Sequence, residues 1–180
     1  MSTPGSSFTV TKEQLAELAE SRGRDFRERD RILSSHGEIE GLLRKLRVSN
    51  VSQGLNESDK TDLAERRSTF GENRYSRTDL NRQATVLRNG KVQHIPIVEL
   101  VVGDICPLRI GDRIPGDGLA IESDSLKIDE SPLTGETDLV NKPIGDILLA
   151  DTDVKIGSGK MVVIGVGINS AVGSIDRLFS

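Results

Sequence analysis

Aromatic residues and cysteines are scarce in this sequence of 180 residues. It contains no tryptophan, one tyrosine and four phenylalanines. A hydrophobic core must therefore come from Val, Ile and Leu, which are plentiful after Ala84. The single cysteine, Cys106, excludes an internal disulfide framework and a cysteine-based zinc site. Because Cys106 lies in an apolar run, we expect a buried and inert thiol.

Long apolar runs and an excess of positive charge are also missing. No stretch approaches the ~20 consecutive apolar residues that a membrane-spanning helix needs, and no signal peptide is visible. The sequence therefore predicts a soluble chain. Its formal net charge of −4 provides no basic surface, so nucleic acid is not expected as a partner.

The first part of the sequence has the apolar spacing of helices. Residues 1–7 are rich in Ser, Gly and Pro and predict a disordered N-terminus, and residues 8–75 predict a helical segment. Thr11-Lys12-Glu13-Gln14 is typical of a capping box at a helix start. Further helices are predicted over 39–48 and 58–70.

A charged run lies between the first two predicted helices. Residues 22–31 contain five arginines among acidic residues, a mixture that is typical of a solvated helix face. A regulatory docking surface is the alternative. The later helix over 39–48 is basic and amphipathic, so it could also bind calmodulin or a membrane surface.

The last part of the sequence, residues 83–180, has the pattern of a β-rich domain. Asn89-Gly90 between two strand-like runs predicts a hairpin with a type I′ turn. A long strand is predicted over 153–166, with a bulge or bend at its glycines. This pattern favours a sandwich, roll or barrel. Shorter strands and a final helix are predicted over residues 99–102, 105–110, 119–122, 126–128 and 170–179.

Most tempting motifs in the sequence are incomplete. Gly159-Lys160 lacks the earlier glycine of a phosphate-binding loop, and Asp151-Thr152-Asp153 lacks the later ligands of a calcium-binding loop. Thr134-Gly135-Glu136 falls in a predicted turn. By itself this tripeptide indicates only an ordinary turn.

The sequence blocks around the tripeptide indicate a function for it. Three blocks occur in order: Val101-Val102-Gly103-Asp104-Ile105, the run from Gly111 to Gly118, and Asp129-Glu130-Ser131-Pro132-Leu133-Thr134-Gly135-Glu136. They resemble the actuator domain of P-type cation pumps over residues 84–176. Residues 8–73 are similar to the cytosolic N-terminus of plasma-membrane-type (type IIB) calcium ATPases.

The resemblance implies a mainly β fold, a distorted jelly roll like a double-stranded β-helix, with an N-terminal helical segment. It implies that Glu136 positions a water that hydrolyses an aspartyl phosphate on another domain. Gly135 would allow close approach of the backbone to the phosphate, and the hydroxyl of Thr134 would orient the loop. Rotation of the domain would couple phosphorylation to ion gating.

The implied partners are the phosphorylation and nucleotide-binding domains of the same pump. The complete pump would use ATP and Mg²⁺ and transport Ca²⁺, whereas no cofactor or metal site is expected in this chain. The aspartyl-phosphate motif Asp-Lys-Thr-Gly-Thr is missing from the sequence. The chain alone is therefore expected to be inactive.

Two transmembrane helices stand in family members between the region of Phe70 and the strand that begins at Ala84, and they are missing here. We expect residues 76–82 to be an engineered junction that replaces them. The resemblance places the chain on the cytoplasmic side of the plasma membrane or of an internal membrane of vacuolar or ER type. Two alternatives stay open, an actuator for another cation and a non-enzymatic β-rich binding module.

Overall fold

A computed structural model describes residues 8–22, 26–74 and 81–170. The predictions for residues 1–7, for most of the junction over 76–82 and for nearly all of the final helix lie outside the described residues. Within these ranges, no helix is long and apolar enough to cross a membrane.

Among the described residues, four helices precede the sheet: α1 (Lys12–Glu20), α2 (Phe26–Ser35), α3 (Glu38–Lys45) and α4 (Lys60–Phe70). The predicted capping box is confirmed, because the Thr11 N–H donates to Gln14 Oε1 at 2.9 Å and the Gln14 N–H donates to Thr11 Oγ1 at 3.2 Å. The helix predicted over 39–48 ends earlier, at Lys45. It stops there because Arg47 adopts a left-handed backbone with a φ of +55°.

In the part of the chain that the structure describes, seven antiparallel strands form one sheet in the order β2-β1-β3-β7-β4-β5, with β6 paired to β4. They are β1 (Gln83–Arg88), β2 (Lys91–Pro96), β3 (Ile105–Leu108), β4 (Asp117–Asp129), β5 (Val140–Asn141), β6 (Ile147–Leu148) and β7 (Asp153–Gly165). The hairpin between β1 and β2 is confirmed. Asn89 and Gly90 have φ angles of +52° and +70°, as a type I′ turn requires. The mainly β architecture with an N-terminal helical segment is thus confirmed.

The predicted strands over 119–122 and 126–128 are parts of one strand, β4, which pairs with β7 along most of its length. The ladder shifts register between Asp124 and Lys127, opposite the backbone at Gly157. A Cβ on Gly157 would lie 2.3 Å from the Asp124 carbonyl oxygen, so the bulge predicted at this glycine is confirmed.

The prediction of a strand over residues 99–102 is wrong. A 3-10 turn covers Ile97–Glu99, and a buried turn follows it. The carboxylate of Asp104 closes that turn by accepting from the Val101 N–H at 3.0 Å and from Arg88 Nε at 2.8 Å. Because a side chain satisfies this backbone, no strand ladder forms here.

Helices and sheet contribute to one hydrophobic core, which runs from Phe8 to Val166. The Phe8 and Phe70 rings meet edge to face, with centroids 4.8 Å apart. Arg66 is fully buried between the two parts, where it donates to the Leu46 carbonyl at 2.8 Å and to the Val102 carbonyl at 3.1 Å. The helical segment is therefore packed against the sheet.

Cys106 on β3 is buried, as predicted. Burial, followed by the nearby Asp104 carboxylate, raises the pKa of this thiol well above its ordinary value. The thiol therefore stays protonated and unreactive at neutral pH.

Candidate functional site

The candidate loop connects β4 to β5, the short strand that pairs with the last residues of β4. β4 ends at Asp129, and β5 begins at Val140, which pairs with Ile128. The intervening residues 130–139 therefore leave the sheet and come back to the same strand. Both ends of the loop are fixed by strand pairing.

The loop begins with a one-turn helix, α5 (Ser131–Thr134), which the sequence did not predict, and the turn predicted at Thr134-Gly135-Glu136 begins where this helix ends. Ser131 donates its backbone N–H to Asp129 Oδ1 at 3.0 Å. Hydrogen bonds from the hydroxyl and the N–H of Ser131 lower the pKa of the Asp129 carboxyl. The ionised Asp129 carboxylate thus holds the backbone at the start of the loop.

Thr134 lies at the end of α5 and makes two hydrogen bonds through its hydroxyl. The hydroxyl donates to the Glu130 carbonyl at 3.1 Å and accepts from the Glu136 N–H at 3.2 Å. The backbone at the root of the loop is thereby connected to the backbone at its tip.

Gly135 ends α5 in the left-handed conformation, with a φ of +74°. A Cβ at this position would meet no atom of the described chain within 4 Å. Within this chain, glycine is therefore favoured by backbone conformation and not by crowding. Close approach to a phosphate on another domain remains a prediction.

Glu136 lies exposed at the loop tip, beside Thr134 and Gly135. Within the part of the chain that the structure describes, its carboxylate makes no hydrogen bond or ion pair. A carboxylate so placed can accept a proton from water and act as a general base.

A cleft of about 400 Å³ separates this loop from the helical segment. Thr134 and Glu136 line one side, and Arg22, Phe26 and Arg29 line the other. The sequence predicted a solvated face for the arginines here. That prediction is wrong for Arg22 and Arg29, which form ion pairs with Glu130 and Asp146 respectively, at partly buried positions. Only the mixed charge of residues 22–31 hinted at these contacts.

No group of three or more His, Cys, Asp or Glu side chains in the described ranges is placed to hold a metal ion.

A family model described as the P-type ATPase actuator domain matches residues 79–180. Plasma membrane calcium-transporting ATPase 3 of Homo sapiens is 48% identical over 105 residues, which cover 57% of this chain and 9% of the relative. Plasma membrane calcium-transporting ATPase 1 of Gallus gallus is 47% identical, with the same coverage. The chain thus spans about a tenth of the length of these curated relatives.

The crystal structure of a zinc-transporting PIB-type ATPase in its E2·Pi state is similar to this chain with a TM-score of 0.50. The identity is 22%, and the match covers 93% of this chain and 24% of that one. At this identity the similarity concerns the fold, and it agrees with the expected actuator architecture.

Proposed function

The chain belongs to the P-type ATPase actuator-domain family, and we propose that it is the actuator of a calcium-transporting pump. The observation that carries the proposal is the exposed Thr134-Gly135-Glu136 tip, held at both ends by the β4–β5 pairing. The ion is proposed from the names of the relatives. The zinc transported by the structural neighbour carries no weight for the ion, because that similarity concerns the fold alone.

In the proposed reaction, Glu136 orients a water in line with the phosphorus of an aspartyl phosphate on another domain. The carboxylate accepts a proton from this water as the oxygen–phosphorus bond forms, and the aspartate leaves as a carboxylate. Positioned acid–base groups of this kind contribute typically about 10²–10⁴-fold to a rate. The absence of an internal partner for the Glu136 carboxylate among described residues supports this role.

Thr134 and Gly135 shape the tip in this proposal. The Thr134 hydroxyl holds the Glu136 N–H, and thereby limits where the carboxylate can lie. Gly135 supplies the left-handed turn that directs the chain back after α5. Its missing side chain would also leave space for the phosphate-bearing domain.

The remaining partners belong to the proposed complete pump. Phosphorylation and nucleotide-binding domains would supply the aspartyl phosphate and the sites for ATP and Mg²⁺, and Ca²⁺ would be the transported ion. The chain would supply the dephosphorylation loop and, by rotation, couple phosphorylation to gating. Alone it would hydrolyse no ATP.

We propose the cytoplasmic side of the plasma membrane as its location, because the relatives carry that membrane in their names. An internal membrane is the alternative, and tagging of the complete protein in cells would distinguish them. The division into residues 8–75 and 83–180 is proposed likewise. That residues 76–82 form an engineered junction is a hypothesis, which the gene sequence would refute if it ran continuously from Tyr75 to Asn81.

A regulator such as calmodulin at the helical segment is a second proposal with less support. In α3 the apolar residues Leu42 and Leu43 are buried in the core. Binding to this face would require the helix to leave the sheet. Titration of the chain with calcium-loaded calmodulin tests this proposal directly.

The calcium proposal is tested by phosphorylation of the complete protein with labelled ATP. We expect an acid-stable phosphoenzyme that forms when micromolar Ca²⁺ is present and is absent when Ca²⁺ is chelated. If phosphoenzyme formation depended on another cation, that cation would be assigned as the transported ion in place of calcium. No phosphoenzyme under any ionic condition would favour the non-enzymatic binding module.

A further inference from the structure

The root of the candidate loop is the buried residue Glu130. Its carbonyl accepts from the N–H groups of Leu133 and Thr134 at 2.9 and 3.0 Å, and from the Thr134 hydroxyl at 3.1 Å. All three bonds belong to α5 or its end. Any displacement of Glu130 therefore moves the residues that hold the Glu136 backbone.

The Glu130 side chain is 6% exposed and lies between two cations. Lys142 Nζ forms an ion pair with Oε1 at 2.7 Å, and the ammonium also donates to the Ile147 carbonyl at 2.8 Å. Arg22 Nη2 donates to the other oxygen, Oε2, at 3.1 Å. Among the described residues, Arg22 and Lys142 are thus the two cations that pair with this buried carboxylate, one at each oxygen.

Arg22 lies in the turn just after α1, two residues beyond its last residue and 108 residues before Glu130 in the sequence. α1 itself packs against β7 through the buried residues Leu15 and Leu18. The Arg22 N–H donates to the Ala19 carbonyl at 3.3 Å, so the residue is held close to a helix whose position relative to the sheet is fixed by the core.

The helical segment makes a second contact at a turn that comes after the loop in the sequence. Arg29 of α2 pairs with Asp146, in the turn that connects β5 to β6. Burial alone would lower the pKa of Arg29, but the carboxylates of Asp30 and Asp146 raise it, so the guanidinium stays charged. The Asp146 carbonyl in turn accepts from the Ala120 N–H of β4 at 2.9 Å. The helical segment thus holds the chain both before and after the loop.

We propose that Arg22 is a positioning residue for Glu136, acting through Glu130 and α5, with Arg29 as a second support at Asp146. The inference rests on the proposed role of Glu136 in phosphoenzyme hydrolysis. Loss of the Arg22 guanidinium removes one of the two cations that pair with the buried Glu130 carboxylate and leaves Oε2 without its donor, which favours movement of Glu130 toward water. The loop tip then samples more positions, and fewer of them place Glu136 for reaction.

The proposed effect of Arg22 on the position of the loop is tested on the 180-residue chain by amide hydrogen exchange. Arg22→Ala should speed exchange at the Thr134 and Gly135 amides by about fivefold or more, corresponding to loss of a hydrogen bond. Arg22→Lys should restore part of the protection. Arg31→Ala, which changes an exposed arginine on α2, should match the parent. The amide of Val163 in β7 reports whether any variant loosens the whole fold.

The functional part is tested on the complete pump by following labelled phosphoenzyme. Arg22→Ala should slow its decay by about tenfold or more while leaving its formation rate unchanged, because displaced reacting groups cost up to about 10²-fold. Unchanged amide exchange at Thr134 and Gly135 in Arg22→Ala would overturn the proposal that Arg22 restrains the loop through Glu130 and α5. Faster exchange with unchanged decay would overturn the positioning role, provided that Glu136→Gln slows decay in the same assay. Unchanged decay in Glu136→Gln itself would instead refute the proposed function.

If Arg22→Ala fails to fold, Arg22→Gln provides the same measurements with a smaller change in volume. Its amide can donate one hydrogen bond but carries no charge. The proposal would be supported if the Thr134 and Gly135 amides of this variant exchanged faster than those of the parent, and if its phosphoenzyme decayed at a rate between those of the parent and of Glu136→Gln. Parental values for both would overturn it.

Discussion

Thr134 is the residue whose hydroxyl determines the shape of the loop tip. It joins the Glu130 carbonyl to the Glu136 N–H, at 3.1 and 3.2 Å. Thr134→Val keeps the shape of the side chain but removes both bonds. We expect the loop to lose about 1 kcal/mol of local stability and the Glu136 amide to exchange about fivefold faster.

Amide exchange of Glu136, followed by NMR, measures this effect, and Thr134→Ser is the matched control because it keeps the hydroxyl. The threonine hydroxyl would have no role in shaping the tip if the valine variant retained parental protection. Thermal stability of the whole chain should change little, since the residue is exposed.

At the scale of elements, the joint between α2 and α3 contains a buried histidine. His36 is 5% exposed, and its Nδ1 lies 3.3 Å from Lys45 Nζ. Burial and then repulsion by Lys45 lower the pKa of His36 below 6.5, although Glu17 acts in the opposite direction. The folded chain therefore binds fewer protons than the unfolded chain just below that pH.

Because the unfolded state binds more protons there, the free energy of unfolding falls as the pH drops through 6.5 toward the folded pKa. We expect lower urea midpoints at about pH 5.5 than at about pH 7.5. His36→Gln should flatten this part of the profile. Equal slopes in the His36→Gln variant and the parent would contradict the assignment.

Elements marked by local chemistry could be predicted from the sequence. The Thr11 capping box and the Asn89-Gly90 hairpin each follow from a few neighbouring residues, and both are confirmed. The strand predicted over 99–102 failed because the Asp104 side chain, and not a neighbouring strand, satisfies that backbone. The one-turn helix α5 was missed because four residues give too little periodicity to distinguish it from a turn.

At the scale of the whole molecule, one core joins the helical segment to the sheet. The sequence separated these parts by their patterns but contained no signal for how they pack. Contacts such as Arg22–Glu130 join residues that are 108 positions apart, and only the folded chain brings them together. The tripeptide at the loop tip could be found from the sequence, whereas the charges that support it could not.

This shared core explains how an actuator could transmit motion. Arg66 joins α3, α4 and the turn before β3 through the Leu46 and Val102 carbonyls. Asn73 adds a second connection, because it donates to the Ile97 carbonyl at 2.8 Å and accepts from the Gly167 N–H at 2.9 Å. A rotation of the sheet would therefore carry the helical segment and the Glu136 loop with it.

The decay of labelled phosphoenzyme in the complete protein tests the central claim most directly. With Glu136→Gln we predict that decay after an unlabelled chase slows by about 10²-fold or more, while phosphoenzyme formation continues. Asp138→Asn, which changes another exposed carboxylate of the same loop, should decay like the parent. Parental decay in Glu136→Gln would contradict the assignment of Glu136 as the residue that positions the water.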